Sequence, residues 1–155
     1  MARKKRNQFD VDEIYRNLRT NIEFSQMDDE IQVISVASTI SSEGKSSVAC
    51  NLARIMAAKY NDVLLIDCDL RHPSVHKMMK VSNRSGLTNI IAQFQDGLSV
   101  NSYEGVQQVI FEGGQNLTLI IEYQILVKYW VQKEWVVFWN MLEKNLVISL
   151  LIHHQ

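Results

Sequence analysis

Glycine and proline are scarce in this 155-residue chain, and both run out early. Its six glycines all occur by Gly114, and its one proline is Pro73. The three tryptophans, Trp130, Trp135 and Trp139, all lie in the last quarter, beyond the last glycine. An α/β domain normally keeps turn residues to its end, so the character of the chain changes near Ile121. Cysteine is almost absent. Cys50 and Cys68 have no partner at metal-ligand spacing and do not make a disulfide framework, which fits a reducing cytosol. Sixteen Lys and Arg against 17 Asp and Glu leave a net charge of −1, which removes a global field for nucleic acid. No uncharged apolar run approaches the roughly 20 residues of a membrane span, so a soluble chain with one core is expected. Internal repeats and low-complexity segments are also lacking.

What the chain does have is the stretch Ile31 to Tyr60, IQVISVASTISSEGKSSVACNLARIMAAKY. Ile31, Val33, Ile34, Val36 and Ala37 make a short β-branched run that reads as a buried strand. Val48, Leu52, Ile55 and Met56 recur at helical spacing with alanines between them. The polar loop between them ends in Gly44-Lys45-Ser46-Ser47. A helix N-terminus there presents unsatisfied N–H donors and roughly half a positive charge, a seat for phosphate. Lys45 adds a point charge at the outer phosphates, and the Ser46 hydroxyl can ligate Mg²⁺.

A second apolar strand, Val63 to Ile66, ends in Asp67-Cys68-Asp69. Residues two apart on a strand point the same way, so both carboxylates are expected to face one site at the strand's C-terminal edge. A bound cation would let them coexist. The other reading makes Asp67 a helix cap and leaves Asp69 in solvent. His72 and His76 have metal-compatible spacing but no acidic or cysteine ligand at the right offset, and read as surface residues. Gly86 to Phe94 reads as a short helix, Gln95 to Tyr103 as a polar loop, Val106 to Phe111 as ambiguous, and Leu117 to Ile121 as a third buried strand.

Upstream, residues 1–8 form a basic tip, ARKKR after the initiator, which reads either as a solvated tail or as a contact for an acidic membrane surface or partner. Phe9 to Met27 follows as an amphipathic helix with Val11, Ile14, Tyr15, Leu18, Ile22 and Phe24 as its apolar face. Glu13, Arg16 and Arg19 lie on successive turns, where Glu13 and Arg16 can pair. They make either an ordinary exposed face or an intersubunit contact.

Four pieces in order resemble the bacterial tyrosine kinases that accompany capsular and exopolysaccharide synthesis: EIYRNLRTNIEFS, SSEGKSS, VLLIDCDLRHP and GLTNII. The resemblance covers residues 9–121 and implies an α/β P-loop NTPase, a parallel sheet flanked by helices. It implies transfer of phosphate from ATP to tyrosine with Mg²⁺. Ser42, Glu43, Gly44, Lys45, Ser46 and Ser47 would hold the phosphates. Ser46, Asp67 and Asp69 would hold Mg²⁺, with Asp67 and Asp69 catalytic. Glu13, Arg16 and Arg19 would assemble a homo-oligomeric ring. Tyrosine-containing proteins would be the substrates, and a membrane adaptor of the polysaccharide co-polymerase type would recruit the cytoplasmic kinase to the inner face of the membrane.

The departures are specific. Thr39 stands where such a loop has its first glycine, and Ser41-Ser42 replaces a Pro-Gly pair, a loss where backbone must approach phosphate. Ile40 stands where the relatives that position division machinery and plasmids carry an extra lysine. After LTLII the expected Pro-Asn-Pro-Ser-Glu segment, the strand ending in Asp-Thr-Pro-Pro and a tyrosine-rich tail are all missing. Yet Tyr123 to Lys128 can be written TAC CAA ATC CTA GTG AAA, and the frame starting one base before the second codon reads Pro-Asn-Pro-Ser-Glu. Leu151 to Gln155 can be written TTG ATA CAC CAC CAA, and the same frame reads Asp-Thr-Pro-Pro. Residues 122–155 are therefore expected to be an out-of-frame tail; the other reading is a genuine divergent C-terminal helix pair that includes WVQKEWVVFW. On the out-of-frame reading the fold is truncated at its C-terminal side, a core strand is missing, and stability and activity are low.

Overall fold

The computed structural model describes residues 10–25, 33–40, 42–60, 63–69, 72–93, 98–111, 116–120 and 148–154. The elements run α1 (Val11–Phe24), β1 (Val33–Ser38), α2 (Lys45–Ala57), β2 (Val63–Asp67), α3 (Val75–Met79) and α4 (Leu87–Ala92). A 3₁₀ turn at Val100–Ser102 and strands β3 (Val106–Ile110), β4 (Asn116–Ile120) and β5 (Ile148–His154) complete them. The basic tip, Ser41, Leu70, Arg71 and the tryptophan-rich segment lie outside the described residues.

The five strands form one sheet in the order β1-β5-β2-β4-β3. β1, β5, β2 and β4 are parallel, and β3 joins β4 antiparallel at one edge. The ambiguous segment at 106–111 is thus a strand, and the sheet is mixed rather than wholly parallel.

β2 shows why the sheet is covered on both sides. Its residues alternate between two cores. Val63 and Leu65 pack with Ala49, Leu52, Ala53 and Met56 of α2 and with Leu117 and Leu119 of β4. Leu64 and Ile66 pack with Leu87 and Ile90 of α4, Tyr103 and Ile120. An unbroken apolar strand is what a doubly covered position requires. Full burial of each of the large side chains contributes roughly 1.5–3 kcal/mol. The alanine-lined face of α2 lets the helix lie close to the sheet.

Two expectations are corrected. The out-of-frame tail implies a sheet that lacks a core strand, but β5 pairs in parallel with β1 on one side and β2 on the other. Its sequence ISLLIHH remains apolar and extended-compatible, so it fills that slot through backbone pairing. The expected apolar face of α1 also divides. Tyr15 and Ile22 pack on the core, whereas Val11, Ile14, Leu18 and Phe24 are exposed. No helix among the described residues is long and apolar enough to cross a membrane.

Candidate nucleotide-binding site

The turn from β1 into α2 creates the seat. Gly44 caps α2 with φ +90°, a left-handed backbone that favours glycine. A Cβ there would meet nothing within 4 Å, so conformation rather than space demands the residue. Ser42 adopts φ +65° without that freedom. The helical ladder opens with Val48 N–H donating to Gly44 C=O at 2.9 Å, so the N–H groups of Lys45, Ser46 and Ser47 precede it. Ser42, Gly44, Lys45, Ser46 and Ser47 line one side of a cleft of about 850 Å³. Glu43 is exposed and does not line this cleft.

The end of β2 supplies the opposite side, but its two carboxylates separate. Asp69 lines the cleft and accepts from the His72 N–H at 3.0 Å. Asp67 is fully buried and is not among the lining residues. Its Oδ1 accepts from Asp69 N–H at 3.1 Å, and its Oδ2 from Ser74 and Val75 N–H at 3.0 and 3.1 Å. The expectation that both carboxylates face one site is therefore corrected. Asp67 holds the loop and the start of α3, and Asp69 faces the cleft. Burial pushes the Asp67 carboxyl above its ordinary range, while the N–H groups of Val75, Asp69 and Ser74 pull it back. Burial, with the nearby Asp67 charge, also raises the Cys50 thiol to about 12, leaving it an inert core residue.

Sequence reasoning missed Ser74 and the segment beyond it. Ser74 Oγ donates to Ser46 Oγ at 2.6 Å, tying the two sides of the cleft together. His72, Pro73, His76, Lys77, Met78 and Asn83 complete the lining. The signals for them were the four-residue spacing of the histidines and, for His72 and Pro73, the end of the VLLIDCDLRHP piece. No group of three or more His, Cys, Asp or Glu suited to a metal occurs among the described residues. For Mg²⁺ held by nucleotide phosphates, one hydroxyl and one carboxylate are a sufficient protein contribution, and Ser46 and Asp69 fit it.

The expected assembly residues are not equivalent. Glu13 and Arg16 are exposed, and Arg16 lies 3.9 Å from Asp12 rather than pairing with Glu13. Arg19 turns inward instead. Its Nη1 donates to Ile55 C=O at 3.0 Å, and its Nε lies 3.4 Å from Glu23. Arg54 of α2 donates to both Asp12 oxygens, and Glu23 accepts from Lys59 Nζ at 2.8 Å and Tyr60 Oη at 2.9 Å. This network docks α1 on α2, so Arg19 has an intramolecular role.

The family model of the CobQ/CobB/MinD/ParA nucleotide binding domain matches residues 34–134, more than half of the chain. The chain belongs to that nucleotide-binding family. Within it, the similarity is to bacterial tyrosine kinases. Tyrosine-protein kinase YwqD of Bacillus subtilis is 44% identical over 79 residues, covering 51% of this chain and 33% of that protein. Succinoglycan biosynthesis transport protein ExoP of Rhizobium meliloti is 34% identical over 92 residues, covering 57% of this chain and 12% of that protein. The chain thus spans a third or less of the length of these two relatives. Among solved structures, the kinase domain of Escherichia coli tyrosine kinase ETK superposes with TM-score 0.68 at 23% identity, covering 92% of this chain and 54% of that one. A Borrelia burgdorferi plasmid partition protein bound to AMPPNP gives TM-score 0.59 at 18% identity, covering 81% and 54%. These likenesses to the nucleotide-binding family carry the fold.

Proposed function

We propose that the chain binds Mg-ATP in this cleft and transfers phosphate to tyrosine hydroxyls, as a cytoplasmic kinase in the control of capsular or exopolysaccharide synthesis and chain length. The observation that carries the reading is the cleft itself, with a helix N-terminus and Lys45 on one side and Asp69 on the other. Phosphoryl transfer asks a protein mainly for positioning and charge stabilisation. The N–H groups of residues 45–47 and Lys45 would hold phosphate oxygens, and Ser46 and Asp69 the metal. When bound, Mg²⁺ would neutralise charge on the phosphates. Asp69, which lines the cleft, would then be the carboxylate that meets an incoming tyrosine hydroxyl, while Asp67 fixes the loop that presents it.

On the same proposal, exposed Glu13 and Arg16 contribute to a homo-oligomeric ring, and a membrane adaptor of the polysaccharide co-polymerase type recruits the chain to the inner face of the membrane. The names of YwqD and ExoP support kinase activity and the polysaccharide setting respectively. Residues 122–155 are taken as the out-of-frame reading of a kinase gene. The activity is accordingly weak, because the carboxylate expected at the end of the central strand is missing and a lost outer-shell group costs roughly 10–100-fold.

The test is nucleotide binding by calorimetry, with phosphotyrosine detected on the chain and on a tyrosine peptide. Mg-ATP should bind, and Lys45→Met should weaken it roughly 10–100-fold through loss of a charge-assisted contact. No binding by the unaltered chain would sink the reading. Hydrolysis without phosphotyrosine would select a second reading, a regulatory or assembly ATPase of the same superfamily. The burial of Asp67 away from the cleft favours that alternative.

A further inference from the structure

The phosphate seat uses one side of the cleft. The other side carries an excess of positive or protonatable groups that the seat does not require. His72, His76 and Lys77 line it together with Asn83, and among the described residues Asp69 is the one carboxylate lining the cleft. The sequence of α3, VHKMM, has no acidic residue. Neither Lys77 nor His72 enters an ion pair among the described residues, although both are exposed. The His76 ring has Nδ1 buried and without a hydrogen-bond partner among the described residues, so it can meet a ligand only through Nε2. A volume of about 850 Å³ stands near the top of the range for small-molecule sites, roughly 300–1,000 Å³.

We propose that this α3 side is a second subsite that reads the acidic residues flanking an acceptor tyrosine, making acidic peptides the preferred substrates. The proposal rests on the tyrosine-transfer reading for the identity of the acceptor. Its physical basis is local. An acidic side chain arriving beside Asp69 would meet like charge unless it were drawn to the α3 side. There Lys77, His72 and His76 Nε2 offer donors, and Lys77 a positive charge. Such an arrangement steers and selects more than it tightens, since exposed charge pairs are weak. The two sides divide the work, with nucleotide phosphates on the α2 N-terminus and peptide carboxylates on α3.

The test uses the full chain and three fluorescent tyrosine peptides of one length, flanked by Glu and Asp, by Gln and Asn, or by Lys and Arg. Binding is read by anisotropy with and without saturating Mg-AMPPNP, and nucleotide binding is measured separately on the unaltered chain. The acidic peptide should bind about 3–10-fold more tightly than the neutral one, and the basic peptide least, with the preference shrinking as salt rises. Lys77→Glu, a change at an exposed position, should abolish or reverse the order. Equal binding of the three peptides would overturn the proposal, as would a preference that survives Lys77→Glu. Displacement of the acidic peptide by nucleotide would overturn it too, by making the α3 side part of the nucleotide seat. Failure of nucleotide binding with the peptide order intact would remove the kinase reading and leave the acidic-peptide subsite standing.

Discussion

Ser42 holds a left-handed backbone that glycine would hold more cheaply. The left-handed region costs a non-glycine residue roughly 1–2 kcal/mol, whereas a glycine adds roughly 0.5–1 kcal/mol of unfolded-chain entropy. Ser42→Gly should therefore stabilise the chain by up to about 1 kcal/mol, a rise of about 2–4 °C in melting temperature for a chain of this size. Ser42→Val, with β-branching at φ +65°, should lower stability by about 1–2 kcal/mol. Paired thermal melts check both, and a destabilised glycine variant would show that the Ser42 side chain does more than occupy the turn. The substitution was legible in the sequence as a missing glycine beside Gly44. For Asp67 the sequence left two readings, site carboxylate or helix cap, and the structure takes the second: its Oδ2 accepts from the N–H groups of Ser74 and Val75 at the start of α3, seven and eight residues on. Spacing along a strand cannot show a loop folding back onto it.

Among the elements, α1 depends most on charge. It contains no buried residue, and its docking relies on Tyr15, Ile22 and the ion-pair network with α2. The Arg54 hydrogen bond holds the Asp12 carboxyl below its ordinary 3.8 against the effect of burial. For Glu23 burial acts upward, but hydrogen bonds from Lys59 and Tyr60 and the charges of Lys59 and Arg19 win and hold it below 4.5. A carboxyl lowered in the folded state stabilises above its unfolded pKa, and that stabilisation is lost as pH falls through the folded value. Asp67 has the opposite sign, because its raised value favours the protonated folded form. Acidification from pH 6 toward pH 3 should therefore release the α1 amides to hydrogen exchange before those of β2. Simultaneous loss would show that α1 and the sheet unfold as one unit. The periodicity of α1 was legible, but not which part of its apolar face packs on the core. Arg54, Lys59 and Tyr60 make that choice from more than 35 residues away, and no local pattern contains them.

At the scale of the whole molecule, β5 joins the two halves of the site. β1 leads to the phosphate seat and β2 ends at Asp67, and within the sheet β5 lies between these two strands and pairs with both. The break in composition was plain in the sequence, but composition does not reveal strand pairing. A shifted frame that keeps apolar residues in succession can still make a strand. The register gives the frame proposal a geometric consequence. Ile152 pairs with Val36 on one side and Asp67 on the other. In the shifted frame the codon for Asp begins with the last base of Leu151 and ends within Ile152, so the restored carboxylate would arrive level with Asp67, at the strand end facing the loop. Replacing residues 122–155 by the shifted-frame translation should keep the strand and add the missing group. Tyrosine phosphorylation should rise roughly 10–100-fold, the loss expected for an absent outer-shell carboxylate. Changing that aspartate to Asn in the repaired chain should remove most of the gain. In the unrepaired chain Leu150→Pro deletes a ladder donor from an interior strand and leaves its acceptor unpaired, at a cost of roughly 1–3 kcal/mol. It should separate β1 from β2 and abolish nucleotide binding. If the gene's own nucleotides do not encode the two motifs in that frame, the tail is a true divergent end. β5 would then be a native interior strand, and the repair should bring no gain in phosphorylation.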